Sequence, residues 1–106
     1  MGRGRPVILN SVSFDNQSQA ADFFKEMLNR YIPGEHVSPE DSTHLAGLFK
    51  RHPKYAEKVG SGVDYFQVIP ADYGTQCFCA VRMDGTKERF SYQTCVTQKI
   101  DGPPLG

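Results

Sequence analysis

The chain has 106 residues, 39% of them hydrophobic and 23% charged, which is typical of one soluble globular domain. Its 12 Lys/Arg and 12 Asp/Glu residues cancel, which argues against a protein that coats nucleic acid nonspecifically but not against a local basic surface. No apolar run approaches the ~18 residues of a membrane-spanning helix. Because three cysteines occur without a signal-peptide pattern, we expect free thiols and a cytoplasmic protein, or one of the matrix or stroma if a longer precursor exists.

The N-terminal third predicts a strand followed by a helix. The segment VILNSVSF (7–14) is apolar and β-branched, which is typical of a strand. Asn16 can cap a helix, and Gln19 stands where a capping box needs it. Apolar residues then recur at three- and four-residue spacing as Ala20, Phe23, Phe24, Met27, Leu28 and Tyr31.

A second helix is predicted to begin after Ser38, which is a good N-cap and is followed by Pro39 in the first turn. Its inner face would be formed by Leu45, Leu48 and Phe49. Pro53 either ends this helix or starts a short one, PKYAEKV, that Gly60 would terminate in a left-handed conformation.

The C-terminal half predicts strands at 62–69, 76–83 and 86–92. Asp84-Gly85 lies between the last two and is the strongest hairpin signal in the chain. We therefore expect one α+β domain over residues 1–106. It would be an antiparallel sheet of three to four strands with two to three helices packed on one face. Residues 1–5 and 101–106 are expected to be disordered.

A two-residue turn at Asp84-Gly85 would place Met83 opposite Thr86 and Arg82 opposite Lys87. One face of the hairpin would then be apolar and meet the helices, with Cys77, Cys79, Val81, Met83, Phe90 and Tyr92. The other would face solvent with three cations beside an aromatic ring, and it would carry Phe78, Ala80, Arg82, Lys87, Arg89 and Ser91.

Residues with catalytic or metal-binding chemistry form no recognisable motif. Cys77 and Cys79 would share the apolar face, so core packing is a better reading than a zinc or redox site, since C-x-C is also not the usual zinc spacing. His52 has no nucleophile or carboxylate at a spacing that implies a triad. We therefore expect no enzyme activity, metal or cofactor.

Lys50, Arg51, His52, Lys54 and Lys58 form a basic cluster where the second helix ends. Cations at a helix C-terminus offset its negative dipole end, which is the structural explanation. That explanation suits Lys50 and Arg51 better than Lys54 and Lys58, so a phosphate-contacting patch remains the alternative. The N-terminal GRGRP also resembles the arm by which AT-hook peptides enter the minor groove of DNA, although a disordered terminus explains it as well.

Two longer segments, LFKRHPKYAEKVGSGVDYFQV and GTQCFCAVRMDGTKERFSYQTCV, resemble the domain of the plant "defective chloroplasts and leaves" (DCL) proteins. The same domain occurs in the largest subunit of a plant RNA polymerase of RNA-directed DNA methylation and in small bacterial and phage proteins. The resemblance covers about residues 17–97, and this chain looks most like the bacterial members. It implies a link to RNA, namely plastid ribosomal RNA maturation in the plant proteins, and no established catalytic residue.

Two functions remain open. In the first, a monomeric, noncatalytic domain binds nucleic acid, RNA rather than DNA. Its sheet cations would contact phosphates, Phe78 would stack on a base and the basic cluster would extend the surface. The contacting residues would be Lys50, Arg51, His52, Lys54, Lys58, Phe78, Arg82, Lys87 and Arg89. In the second, the same surface docks an acidic protein such as a polymerase, nuclease or ribosomal protein.

Overall fold

The α+β fold expected from the sequence is present in a computed structural model that describes residues 6–9 and 11–98. These residues form a two-stranded sheet, a three-stranded sheet and four helices. In chain order the elements are β1 (Val7–Ile8), β2 (Ser13–Phe14), α1 (Gln17–Asn29), α2 (Pro39–Phe49), α3 (Tyr55–Val59), β3 (Val63–Pro70), a 3₁₀ turn (Asp72–Gly74), β4 (Gln76–Arg82), β5 (Lys87–Phe90) and α4 (Tyr92–Thr97). Both arginines of the GRGRP arm, and the residues 1–5 and 101–106 that were expected to be disordered, lie outside the described residues.

The first two helices begin where the capping signals predict. The Asn16 side chain accepts a hydrogen bond from the Gln19 N–H at 2.9 Å, and the Gln19 side chain accepts one from the Asp15 N–H. At α2 the Ser38 hydroxyl accepts from the Asp41 N–H at 3.2 Å. Because the apolar stripes follow these caps in phase, they enter the core as expected, with Ala20, Phe24, Met27, Leu28, Leu45, Leu48 and Phe49 all buried.

The N-terminal strand is shorter than predicted. Residues 7–14 form two strands rather than one, and β1 pairs antiparallel with β2 through Val7 opposite Phe14. The Leu9 N–H donates to the carbonyl of Val12 at 2.9 Å. A turn therefore interrupts the predicted strand, because the polar residues between the apolar ends favour chain reversal.

The C-terminal helix α4 was not predicted. Strand β5 ends at Phe90, and the Ser91 hydroxyl caps α4 by accepting from the Thr94 N–H at 3.3 Å. Thr94, Cys95 and Val96 are buried, and α4 packs against α1 and α2. Residues 91–92, which were assigned to a strand, therefore start a helix instead.

The main sheet has the order β3-β4-β5, with both pairs antiparallel. One face packs against the helices and contributes Phe66, Val68, Phe78, Ala80 and Phe90 to the core cluster. A register irregularity between Val63 and Tyr65 twists the start of β3. None of the described helices has the length and apolar character needed to cross a bilayer.

The predicted register of the β4–β5 hairpin is wrong by one residue. Val81 pairs with Lys87, and the Arg82 N–H donates to the Thr86 carbonyl at 2.7 Å. The turn thus contains three residues, 83–85, and positive φ occurs in it only at Gly85 (φ 87°). The Gly85 N–H donates to the carbonyl of Arg82 at 2.9 Å. This is the three-residue loop in which a left-handed glycine follows an ordinary turn, rather than a type I′ turn.

The two faces of β4 are consequently exchanged relative to the prediction. Phe78 is 0% exposed and packs on the helix side. Cys79 and Val81 are also buried but lie outside that core cluster, on the opposite face. Met83 is exposed rather than buried. The prediction that Phe78 projects into solvent is therefore wrong, and its ring has no free surface for a base.

Candidate nucleic-acid interface

Arg51, in the turn after α2, forms hydrogen bonds to the end of α4. Its Nε donates to the carbonyl of Cys95 at 3.0 Å and its Nη2 donates to the carbonyl of Val96 at 2.8 Å. These carbonyls belong to the last turn of α4, where helix carbonyls lack partners within the helix. The guanidinium of Arg51 therefore stabilises the packing of α4 through hydrogen bonds within the domain.

Arg82 joins strand β4 to the end of α3 by a hydrogen bond to a helix carbonyl. The prediction that its side chain lies free on the solvent face is therefore wrong. Its side chain is 16% exposed, and its Nε donates to the carbonyl of Lys58 at 2.9 Å. Its Nη2 lies 3.2 Å from Oε1 of Glu88. A Cβ on Gly60 would come within 2.8 Å of this Nε, at a φ of +51°. Glycine at position 60 thus leaves room for the guanidinium at the end of α3.

Glu88 joins α3 to the sheet. Its Oε2 accepts from Nζ of Lys58 at 2.7 Å, and the same Nζ donates to the carbonyl of Arg89 at 3.1 Å. The hydrogen bond from Lys58 lowers the pKa of Glu88, with Arg82 adding to the effect. Glu88 is therefore a carboxylate that balances two cations, and Lys58 is held beside β5.

His52 is buried in the turn after α2, with 7% of its surface exposed. Its Nδ1 accepts a hydrogen bond from the backbone N–H of Lys54 at 3.0 Å. Burial lowers the pKa of His52, and the charge of Lys58 lowers it further. The imidazole is therefore neutral at pH 7 and supports the turn that carries Lys54.

One cavity brings the two predicted basic surfaces together. It has a volume of about 580 Å³, and its walls include His52, Lys54, Lys58 and Arg89. The first three come from the turn after α2 and from α3, whereas Arg89 comes from β5. Four of the nine predicted contact residues therefore meet at one place, which we call the basic cavity.

The other predicted contacts lie elsewhere. Lys50 and Lys87 are exposed but do not line the basic cavity. Phe78 belongs to the core, and Arg51 and Arg82 bind helix carbonyls.

A second cavity of about 570 Å³, which was not predicted from the sequence, adjoins the basic cavity. Lys25 of α1 lines it. The two cavities share wall residues, namely Ala71, Thr75, Cys77, Phe90 and Ser91. Together they form one groove along the loop that joins β3 to β4. No local signal in the sequence marks this groove, because its walls come from four separate parts of the chain, within 25–29, 52–58, 71–78 and 88–94.

The cysteines are thiols with raised pKa values. Burial raises the pKa of Cys77 and Cys79, and it raises that of Cys95 to about 12. Within residues 6–9 and 11–98 no group of three or more His, Cys, Asp or Glu side chains is placed to hold a metal ion.

Comparison with known proteins identifies the family to which this chain is similar. The model of the family described as "Protein of unknown function (DUF3223)" matches residues 25–96. The chain is 34% identical over 98 residues to DNA-directed RNA polymerase IV subunit 1 of Arabidopsis thaliana, covering 90% of this chain and 7% of that protein. It is 37% identical over 70 residues to Protein DCL, chloroplastic, of Solanum lycopersicum, covering 63% of this chain and 31% of that protein. The chain thus spans less than a third of either relative.

A solved structure agrees with this assignment. The solution NMR structure of an uncharacterized protein from Rhodospirillum rubrum is 46% identical and has a TM-score of 0.81, with 90% of this chain and 91% of that chain covered. The resemblance to the DCL proteins is therefore confirmed, and the chain belongs to the DUF3223 family.

Proposed function

We propose that this domain binds single-stranded nucleic acid, RNA in preference to DNA, without catalysing a reaction on it. The observation that carries the proposal is the meeting of Lys54, Lys58 and Arg89 in one cavity. Cations placed along the wall of one cavity can hold successive phosphates, which is the main source of affinity in nucleic-acid binding. The preference for RNA rests on the similarity to a subunit named as part of a DNA-directed RNA polymerase and on the link to RNA that the resemblance to the DCL domain implies.

The charges that line the basic cavity fit a phosphate ligand. Lys58 is paired with Glu88 at 2.7 Å, whereas Lys54 and Arg89 are exposed and form no ion pair with another described residue. Asp72 is the remaining acidic residue of the wall. If Lys54 and Arg89 neutralise about two phosphates, log K should fall with log salt with a slope of roughly −1.4 on single strands.

The test is a titration of fluorescently labelled oligonucleotides at several salt concentrations, using single-stranded RNA, single-stranded DNA and duplex RNA. Charge reversal of Lys54 and Arg89 to Glu should abolish binding. The matched control reverses Lys50 and Lys87 to Glu, which changes the net charge equally at exposed positions outside the basic cavity. Equal losses in the two double variants, or no binding by the unaltered protein at low salt, would refute the proposal.

A second candidate function is docking to an acidic protein. Two relatives are named as subunits of DNA-directed RNA polymerases IV and V, and a subunit contacts other chains. The basic cavity would then receive carboxylates instead of phosphates. Capture of a protein partner that survives nuclease treatment and is lost on reversal of Lys54 and Arg89 would favour this function over the first.

A further inference from the structure

We infer that Tyr73 is the base-stacking residue of the groove, an inference that rests on the proposed binding of single strands. Tyr73 lies in the 3₁₀ turn between β3 and β4, and its side chain is fully exposed, at 101% of the reference value. It forms no ring pair with another described aromatic residue. A tyrosine ring in this position is free on both faces.

The backbone of Tyr73 argues against a structural role for its side chain. Its φ of 59° and ψ of 38° are left-handed, a conformation that Cβ disfavours and that glycine or asparagine adopts more readily. A large aromatic residue in this conformation makes the folded domain less stable than glycine would, because its exposed side chain contributes no burial that could offset the backbone strain. Strained backbone of this kind is enriched at active sites and ligand-binding sites.

The position of Tyr73 connects it to the basic cavity. Its neighbour Asp72 lines the basic cavity, and its other neighbour Gly74 lines the adjoining cavity. Adjacent Cα atoms are about 3.8 Å apart, so the backbone of Tyr73 lies at the junction of the two parts of the groove, while its exposed ring lines neither cavity. We expect a strand with phosphates on Lys54 and Arg89 to place a base against this ring at the edge of the groove.

An aromatic ring beside a cationic groove is the arrangement with which proteins hold unpaired bases. Stacking needs a base with a free face, which a duplex offers only at its ends. Tyr73 would therefore make the domain select single strands, whereas the cations alone would bind both forms.

The experiment compares Tyr73→Ala, Tyr73→Phe and Tyr73→Asn with the unaltered protein. The probes are a labelled single-stranded oligoribonucleotide and an abasic oligomer of equal length and charge. We expect Tyr73→Ala and Tyr73→Asn to bind the oligoribonucleotide about 5- to 100-fold more weakly, and Tyr73→Phe to bind it normally. All four proteins should bind the abasic oligomer equally. Tyr73→Asn should also melt at a higher temperature, because asparagine tolerates the left-handed backbone.

The outcomes separate the two claims. If Tyr73→Ala binds the oligoribonucleotide as tightly as the unaltered protein, the stacking role is refuted while the phosphate-binding function stands. If the affinity of Tyr73→Ala for the abasic oligomer falls by the same factor as its affinity for the oligoribonucleotide, the residue supports the loop and does not stack on bases. If the unaltered protein binds neither probe, the stacking role and the proposed function are both overturned.

Discussion

Replacement of Arg82 by alanine should destabilise the domain by about 2–3 kcal/mol. The largest part is the hydrogen bond from its charged Nε to the carbonyl of Lys58, at 2.9 Å, since bonds from charged groups contribute roughly 1.5–3 kcal/mol. The pair with Glu88, at 3.2 Å, joins a carboxylate that is one-third exposed, and such a pair adds at most about 0.5 kcal/mol. A loss of this size should lower Tm by roughly 10 °C in a domain of this length.

The assay is urea unfolding followed by circular dichroism, in which the midpoint should fall while the slope stays unchanged. Lys87→Ala is the matched control, because Lys87 is an exposed cation on the adjacent strand, and it should change the stability by no more than about 0.5 kcal/mol. Arg82→Lys should lie between the two, since an ammonium cannot reproduce the guanidinium fork. Equal urea midpoints for Arg82→Ala and Lys87→Ala would refute the inference that Arg82 stabilises the packing of α3 on the sheet.

Three further predictions follow from the contacts around the groove. Gly60→Ala should destabilise the domain by at least about 1 kcal/mol in urea unfolding, because its Cβ would meet Arg82 at 2.8 Å and its φ is +51°; stability equal to that of the unaltered protein would contradict this contact. His52 should titrate below its ordinary pKa of 6.5 in NMR. Since the unfolded chain then binds the proton more readily, stability should decrease as the pH falls below 6.5, and a titration above that value would show that burial is not the controlling factor. Among the three cysteines, only the half-buried Cys77 should be alkylated in the folded protein. The other two should react only after urea unfolding, and mass spectrometry that finds either of them modified first would be inconsistent with their burial.

The two long helices were predictable because their signals are local. Asn16 and Ser38 cap them through side-chain atoms three residues from their partners, and the apolar stripes repeat with the helical period. The short helix α4 has a cap of the same kind at Ser91, but it is too short for an apolar stripe to repeat. Its six residues include β-branched types, so the segment after Phe90 was read as a continuing strand.

The sequence did not determine the hairpin register, in contrast to the positions of the two long helices. Asp-Gly fits a two-residue turn, but a glycine also ends the three-residue loop. The residues of β4 could not decide between them, because Cys77–Val81 is apolar at every position and can be buried on either face. The side chains on both faces of this central strand are indeed buried at Phe78, Cys79, Ala80 and Val81.

The basic cavity was only partly predictable. The cluster after α2 was visible as a run of cations, and Arg89 was visible as an outward residue of β5. Their meeting depends on how α3 packs on the sheet, which is a tertiary property. Tyr73 was missed because its importance comes from its exposure and its backbone conformation, neither of which has a signature in the residues around it.

Arg51 and Arg82 bind two helices through peptide oxygens rather than through side chains. A peptide oxygen is unchanged by mutation of the residue that carries it. The outer positions of α3 can therefore diverge between homologues without loosening its anchorage. Substitutions on that surface can therefore accumulate while two guanidinium groups preserve the shape of the domain.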